Sequence, residues 1–216
     1  MLKRALVAFH ILFSVAVLPA VGQTELSHFN FNIGAGVGVP LNPTGAYAGI
    51  SANFVTGAGY NFDRHNAIVG QFMWHGLPPN RRVLLPLGAP DATVNLYAFT
   101  ADYKLRTEWA RAGIYLIGGP GWYYRYAKIT QYTVAPGTAC TPIYSWWGFV
   151  CGGGFVPTDH VRAYRGLSAI GGNAGAGFTT RLGDSSFKFY IEARYHYAWT
   201  PGVRTTAIPV TLGLSW

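Results

Sequence analysis

The feature that most constrains this chain is a strict two-residue alternation that continues over stretches of ten or more residues. Residues 187–199 read FKFYIEARYHYAW, in which every second residue is apolar or small and the intervening positions include Lys188, Glu192, Arg194 and His196. A period of two places alternate side chains on opposite faces of a β-strand. The pattern therefore predicts a strand with one apolar face and one polar face.

Strands of this kind recur in a chain that has little charge. Only 11% of the residues are charged and 16% are aromatic, whereas about a quarter of the residues of an ordinary soluble domain are charged. After the N-terminus the chain contains no apolar run of about 20 residues, so no transmembrane helix is predicted. This combination is typical of strands that present only one face to hydrocarbon.

The first 22 residues have the pattern of a secretory signal peptide. Lys3 and Arg4 precede an apolar core at 5–18, and small residues at 20–22 follow a proline. We expect cleavage after Gly22, because a signal peptidase reads small residues at this spacing. The alternative of an N-terminal membrane anchor is disfavoured, since the apolar core is short. Loss of the leader lowers Lys+Arg from 16 to 14 against 8 Asp+Glu, which changes the net charge from +8 to +6.

The remaining residues, 23–216, are predicted to form one domain with eight strands. Short polar turns are expected at 61–66, 106–111 and 182–186, and irregular loops at 76–93 and 126–165. An open sheet edge is not tolerated in hydrocarbon, so we expect an all-β, eight-stranded, antiparallel, up-and-down transmembrane β-barrel, with ten strands as the alternative. The predicted strands are 27–39, 47–60, 67–75, 94–105, 112 to beyond 124, 166–181, 187–199 and 207–216.

The chain resembles the small outer-membrane β-barrel family of OmpA- and OmpX-type proteins. The resemblance rests on the signal peptide, FNFNIGAGVGV at the first strand, GAGYNFDRH at a strand end and turn, and VTLGLSW at the last strand. It covers the whole mature chain but includes no periplasmic peptidoglycan-binding domain. The resemblance implies location in the outer membrane of a Gram-negative bacterium, with chaperones and the barrel-assembly machinery as partners in biogenesis. It also implies that alternate residues of the last strand are the assembly signal: Val210, Leu212, Leu214 and Trp216.

Polar side chains on the inward face of several predicted strands form a candidate interior cluster. The interior of an eight-stranded barrel is barely wide enough for side chains, and a lone buried charge is costly. We therefore expect a polar plug that stabilises the barrel, with a narrow pore gated by Glu192 and Arg194 as the alternative. The cluster consists of Lys188, Glu192, Arg194, His196, Asp102, Lys104, Gln71 and His75.

Two further groups of residues are candidates for contacts outside the cell. Two cysteines in an exported chain predict a disulfide, here between Cys140 and Cys151 and around the tryptophans at 146 and 147. Guanidinium groups match phosphate bidentately, so arginines in external loops are candidate contacts to lipopolysaccharide; scattered solvated arginines are an equal alternative. The candidate arginines are Arg81, Arg82, Arg162, Arg165 and Arg204.

Aromatic side chains are expected to form rows at the two membrane interfaces. Those near the short turns are Tyr60, Phe62, Tyr103, Trp109, Phe187 and Trp216. Those near the long loops are Trp74, Tyr123, Tyr124 and Trp199.

The sequence predicts a structural, adhesion or surface-interaction role with outer-membrane lipid and lipopolysaccharide as partners. The alternative is a narrow porin-like channel or transporter for small or hydrophobic solutes. An enzyme is not expected: the chain has no metal-ligand spacing, no cofactor is predicted, and Asp184, Ser185 and Ser186 fall in a periplasmic turn; a lipid-modifying enzyme is the third hypothesis. Nucleic acid is excluded as a partner because the chain is exported, and the ligand and oligomeric state stay open.

Overall fold

The computed structural model describes residues 28–87, 91–143 and 148–216. Within these residues, eight antiparallel strands form a closed barrel in the order β1 to β8, so the predicted fold class and strand count are confirmed. The predicted signal peptide lies outside the described residues. The strands are β1 (Phe29–Pro40), β2 (Ser51–Asn61), β3 (Asn66–Gly76), β4 (Asp91–Trp109), β5 (Ala112–Ile143), β6 (Gly148–Arg181), β7 (Lys188–Ala198) and β8 (Thr205–Ser215).

The barrel closes where β8 pairs with β1. Ile33 lies opposite Leu214, and Val37 lies opposite Val210. Beyond the last strand pair, the backbone N–H of Phe31 donates to the carbonyl of Trp216 at 2.9 Å, and the N–H of Trp216 donates back at 3.1 Å. The sheet therefore has no unpaired edge along this seam.

Alternation separates an apolar exterior from a polar interior. On β7, Ile191 and Tyr195 are exposed, whereas Glu192, Arg194 and His196 are buried. A slip of one residue in register would place all of these side chains on the wrong face. The pattern thus fixes both the closure of the sheet and the contents of the barrel.

The two ends of the barrel differ. At the lower end the connections are short, at 62–65, 110–111 and 182–187. The expectation of a polar turn at 106–111 was wrong in its length, because β4 continues to Trp109. Glu108 faces the barrel lumen and forms an ion pair with Lys188 on β7. A charged residue therefore belongs to the strand at a position where the sequence pattern predicted a polar turn.

Connections at the upper end are longer and partly ordered. The segment predicted as an irregular loop at 76–93 contains a helical turn, Arg81–Leu84, followed by a 3-10 turn, Leu85–Leu87. Asn80 holds this segment against the connection between β1 and β2, because its backbone N–H donates to the carbonyl of Tyr47 at 2.8 Å. None of the helices in the described part of the chain is long and apolar enough to cross a membrane.

The largest departure from expectation is a long β-hairpin at the upper end. The segment 126–165 was predicted as an irregular connection, which is wrong: β5 continues to Ile143 and β6 begins at Gly148. β4 pairs with β5 only as far as Thr130, and β7 pairs with β6 only from Gly171. Residues 131–143 and 148–160, here called the arm, therefore pair only with each other.

A register shift marks the base of the arm. Ile129 lies opposite Ala163, but Thr130 lies opposite Val161, so Arg162 is an extra residue on β6. Such a bulge leaves one residue unpaired and reverses the parity of the strand beyond it. On β6 the outward-facing residues are even-numbered below the bulge and odd-numbered above it.

Candidate functional site

A single guanidinium organises the charged groups inside the barrel. Nη1 of Arg194 lies 2.7 Å from Oδ2 of Asp102, and Nη2 lies 2.6 Å from Oε1 of Glu192. All three side chains are buried. A buried charge needs a partner in good hydrogen-bonding geometry to offset its desolvation, and this arrangement gives both carboxylates the same partner.

Neutral donors complete the shell of the two carboxylates. Asp102 accepts from the Thr100 hydroxyl and from Nδ2 of Asn173, both at 2.7 Å. Glu192 accepts from the Tyr115 hydroxyl at 2.9 Å. The network thus joins side chains of β4, β5, β6 and β7 across the lumen.

Several members of the sequence-predicted cluster lie apart from this network. Lys188 lies at the lower rim with Glu108. Lys104 places its ammonium 3.8 Å from the centre of the Tyr115 ring, so it borders the network through that ring and forms no ion pair with either carboxylate among the described residues. Nδ1 of His196 lies 2.9 Å from the hydroxyl of Tyr123.

Two remaining members of the cluster make no hydrogen bond to it. Both ring nitrogens of His75 are buried, and neither has a hydrogen-bond partner among the described residues. Gln71 lines a cavity of about 10 Å³ together with Thr100, Glu192 and Arg194. That volume holds about one water molecule, so side chains fill the barrel at this level.

Sequence reasoning missed three side chains that complete the network: Thr100, Tyr115 and Asn173. Thr100 shares the parity of Asp102 on β4, so the alternation could have identified it. Tyr115 could not be assigned, because apolar or small residues occupy both parities of the first half of β5. Asn173 lies in a glycine-rich strand, where only the register shows which partner it meets.

The described residues contain no group of three or more His, Cys, Asp or Glu side chains placed to hold a metal ion. Asp184 lies in a lower turn, where its Oδ1 is 3.7 Å from a guanidinium nitrogen of Arg111 and both side chains are largely exposed. This turn is at the opposite end of the barrel from the arm.

Aromatic rings surround the outside of the barrel near both ends. At the lower end, Trp216 lies between Phe31 and Phe187, with ring centroids 6.0 and 5.7 Å away. At the upper end, Trp122 stacks on Tyr124 with the two planes 6° apart. The placement of Tyr123 in the upper row was wrong: Tyr123 is only 2% exposed, because its odd position on β5 points into the lumen.

The candidate arginines occupy different environments at the upper end. Arg81 and Arg82 are exposed on the helical turn, and Arg204 is exposed with its guanidinium 6.0 Å from the Tyr197 ring. Arg162 is the bulge residue of β6. Arg165 lies opposite Ala127, an inward-facing residue, and therefore faces the barrel mouth rather than the outer wall.

Arg125 is a further upper-end arginine that the sequence did not single out. Its Nη1 donates to the carbonyl of Val203 and to the hydroxyl of Thr205, both at 3.2 Å. β5 and β8 are not neighbours in the sheet, so these bonds cross the mouth of the barrel. The sequence offered one signal, which is that Arg125 shares the inward parity of Tyr123.

The predicted disulfide is confirmed, since Cys140 and Cys151 lie directly opposite each other in the arm and are bonded at 2.05 Å. The two tryptophans expected at its tip lie at 146 and 147, outside the described residues. The bond joins the two strands of the arm near their far end.

No protein-family model and no curated protein sequence matches the chain. Among solved structures, the chain is similar to Neisserial surface protein A, with a TM-score of 0.55, 13% identity, and coverage of 88% of this chain and 96% of that one. It is also similar to a major outer membrane protein from Thermus thermophilus, with a TM-score of 0.53, 8% identity, and coverage of 88% and 99%. The chain therefore has the fold of the small outer-membrane β-barrel proteins.

Proposed function

We propose that this chain is an integral outer-membrane protein that presents the arm at the cell surface. The proposal is supported by the exposed apolar side chains of the barrel wall, among them Ile33, Leu116, Ile170 and Leu212. Contiguous apolar surface of this kind is costly in water and marks contact with lipid or protein. All eight strands have at least 11 residues, which suits a tilted strand that crosses a bilayer.

Gel mobility after extraction from outer membranes tests the insertion. Every barrel strand is hydrogen-bonded on both sides, so the sheet should stay closed in dodecyl sulfate until it is heated. We expect the boiled and unboiled samples to migrate differently, and the protein to stay in the membrane pellet after a carbonate wash. Recovery from the soluble periplasm with no heat shift would contradict the proposal.

The orientation follows from the lengths of the connections. Outer-membrane barrels have short periplasmic turns and longer external loops, so we place the lower end in the periplasm and the arm outside the cell. A location in the outer membrane requires export, so the proposal includes cleavage of the signal peptide after Gly22 and insertion by the barrel-assembly machinery. Protease added to intact cells should cut the arm and leave the turns at 62–65 and 182–187 uncut.

Arginines on the outer side of the upper end are proposed to contact lipopolysaccharide. Arg81, Arg82 and Arg204 are exposed next to aromatic or apolar surface, and Arg162 projects from the bulge at the same end. A triple variant with Gln at 81, 82 and 204 should bind lipopolysaccharide vesicles more weakly than the parent, while both bind phosphatidylcholine vesicles equally. Equal binding of the two proteins to lipopolysaccharide would show that these arginines are solvated and do not contact it.

A surface-interaction role is proposed because side chains fill the lumen of the barrel, whereas the arm extends beyond the barrel. The ion network and the small cavity beside it occupy the middle of the barrel. The part of β5 that lies in the arm, 131–143, extends roughly 40 Å at the usual rise of a strand. The filled lumen is the single observation that favours a scaffold for the arm over a channel.

Two measurements separate these roles. We expect no steady ionic current from the purified protein in planar bilayers; a current that Glu192→Gln alters would establish the channel instead. We also expect cells that carry the intact chain to be retained on immobilised extracellular matrix better than cells carrying a variant with residues 132–159 replaced by a two-residue turn. Equal surface levels of both proteins are the control, and equal retention would contradict the adhesion role.

A further inference from the structure

The two faces of the arm differ in chemistry. Directly opposite residues share a face, so the outward face carries Val134, Phe155 and the disulfide. The inner face carries the Thr133 and Thr158 hydroxyls, which lie 3.1 Å apart, and the pair Gln131 and His160 below them. Because Arg162 is an extra residue on β6, the outward-facing positions of that strand change from even-numbered in the barrel to odd-numbered in the arm. The inward side of the barrel wall therefore continues as the inner face of the arm.

Two arginines continue the inner face at the base of the arm. Arg125 lies opposite Leu167, and Arg165 lies opposite Ala127, which makes the two arginines diagonal neighbours on the inward side of β5 and β6. Their like charges repel each other. No ion pair of either arginine is found among the described side chains.

An anion bound between the two arginines would relieve this repulsion. Like charges directly opposite each other destabilise a sheet, and a diagonal pair carries a weaker form of the same repulsion; a chain that breaks a local rule of this kind often does so at a functional site. Arg125 is nevertheless fixed in place, because Nη1 is bound by Val203 and Thr205. Its Nε and Nη2 make no hydrogen bond within the described residues and are free for another acceptor.

We propose that Arg125 and Arg165 form an anion site at the barrel mouth that binds a phosphate group. A phosphate has several oxygens and up to two negative charges, so one group can accept from both guanidinium planes and remove their repulsion. Gln131 and His160 lie further along the same face, where they can contact a larger ligand that carries the phosphate. The proposed site is formed by residues of the folded barrel, so it does not depend on the proposed role at the cell surface.

Titration calorimetry with inorganic phosphate tests the site. The full mature chain is folded in lauryl dimethylamine oxide, a detergent that carries neither phosphate nor sugar, and titrated at pH 8 with ionic strength held constant by sodium chloride. We expect saturable binding by the parent and at least a tenfold weaker affinity for Arg165→Gln, an exposed position where folding should not be affected. Arg165→Lys should lose part of the affinity, because an ammonium cannot make the bidentate contact.

Arg64→Gln is the matched control, since it removes the same charge at an exposed position in the turn at 62–65, at the end of the barrel away from the mouth. It should bind phosphate within about twofold of the parent. Equal losses in the two variants would reduce the effect to net charge and overturn the site, as would a parent protein without saturable binding. Glucose 6-phosphate and glucose, titrated in parallel, identify the source: tighter binding of the sugar phosphate supports a phosphorylated glycan, and equal binding of both phosphates supports free phosphate.

Discussion

β5 and β6 cross two environments, and the comparison between them shows what each part of the molecule requires of its sequence. In the barrel, both strands have neighbours on each side and a crowded interior. In the arm, they have only each other and are exposed on both faces. The same pair of strands is therefore stabilised by packing and a buried network in one region, and by a disulfide and a hydroxyl pair in the other.

Glycine shows the contrast within a single strand. A Cβ at Gly171 of β6 would approach the carbonyl oxygen of Tyr197 to 2.1 Å, which no backbone can accommodate without a shift. At Gly152, in the arm, a Cβ would meet no atom of the described residues within 4 Å. Close approach thus explains the glycine in the barrel, whereas nothing in the structure requires the glycine in the arm.

The largest effect is expected from removal of the central cation in the barrel. Arg194→Met leaves Asp102 and Glu192 buried beside each other without their shared partner, and breaking a buried pair in this way costs about 3–5 kcal/mol. We expect a lower midpoint of urea unfolding in lipid vesicles, or no folded barrel on the gel. Arg111→Met, at the largely exposed Asp184 pair, is the control and should unfold like the parent; equal destabilisation of the two variants would refute a special role for the network.

The next effect should distinguish the two glycines of β6. Gly171→Ala forces a shift between β6 and β7, and overpacking of this kind costs about 1–3 kcal/mol. Gly152→Ala should change the unfolding free energy by less than about 0.5 kcal/mol, as for ordinary surface positions. Both variants are compared by urea unfolding, and a larger cost at Gly152 would mean that the arm is more tightly packed than its exposure indicates.

Loss of the disulfide should affect the arm and leave the barrel unchanged. Replacement of Cys140 and Cys151 by Ser removes a crosslink that restricts the open arm, but both residues lie beyond the pairing with β4 and β7. We expect faster cleavage of the arm by chymotrypsin on intact cells, with the same heat shift on the gel as the parent. Unchanged cleavage would show that strand pairing alone orders the arm.

The smallest effect is expected at the hydroxyl pair of the arm. Thr133→Val removes the contact to Thr158 while it keeps a β-branched side chain, and cross-strand pairs contribute about 0.2–1 kcal/mol. Amide hydrogen exchange should become faster in the arm and stay the same in the barrel. Faster exchange in β4 or β7 would show that the arm and the barrel open together.

The sequence predicted the barrel well and the arm poorly, and the reason is physical. On β7 the charged residues and the apolar residues alternate, because one face meets side chains and the other lies outside. In the arm both faces are exposed, so the alternation weakens, and Pro136 and Pro142 lie within β5. A proline is tolerated on a strand whose outer edge has no partner to bond, which is the case for β5 above Thr130.

The candidate sites were predictable only in part. Parity placed Glu192 and Arg194 on one face of β7, but the partners Tyr115 and Asn173 come from strands whose faces the sequence did not resolve. The segment that begins after Arg125 and ends at Arg165 was predicted from the sequence as a loop. Only the register of β5 against β6, including the extra residue at Arg162, brings the two guanidinium groups to the same face.

The pairing of β8 with β1 also sets an order of events during synthesis. β1 is among the first segments to leave the ribosome, yet one of its two edges bonds only to residues 207–216. Until those residues have been made and delivered, that edge is a row of bare amides and carbonyls that can recruit any other extended chain. The finished ring has no such edge, so this route to pairing with another chain is open only until β8 has joined β1.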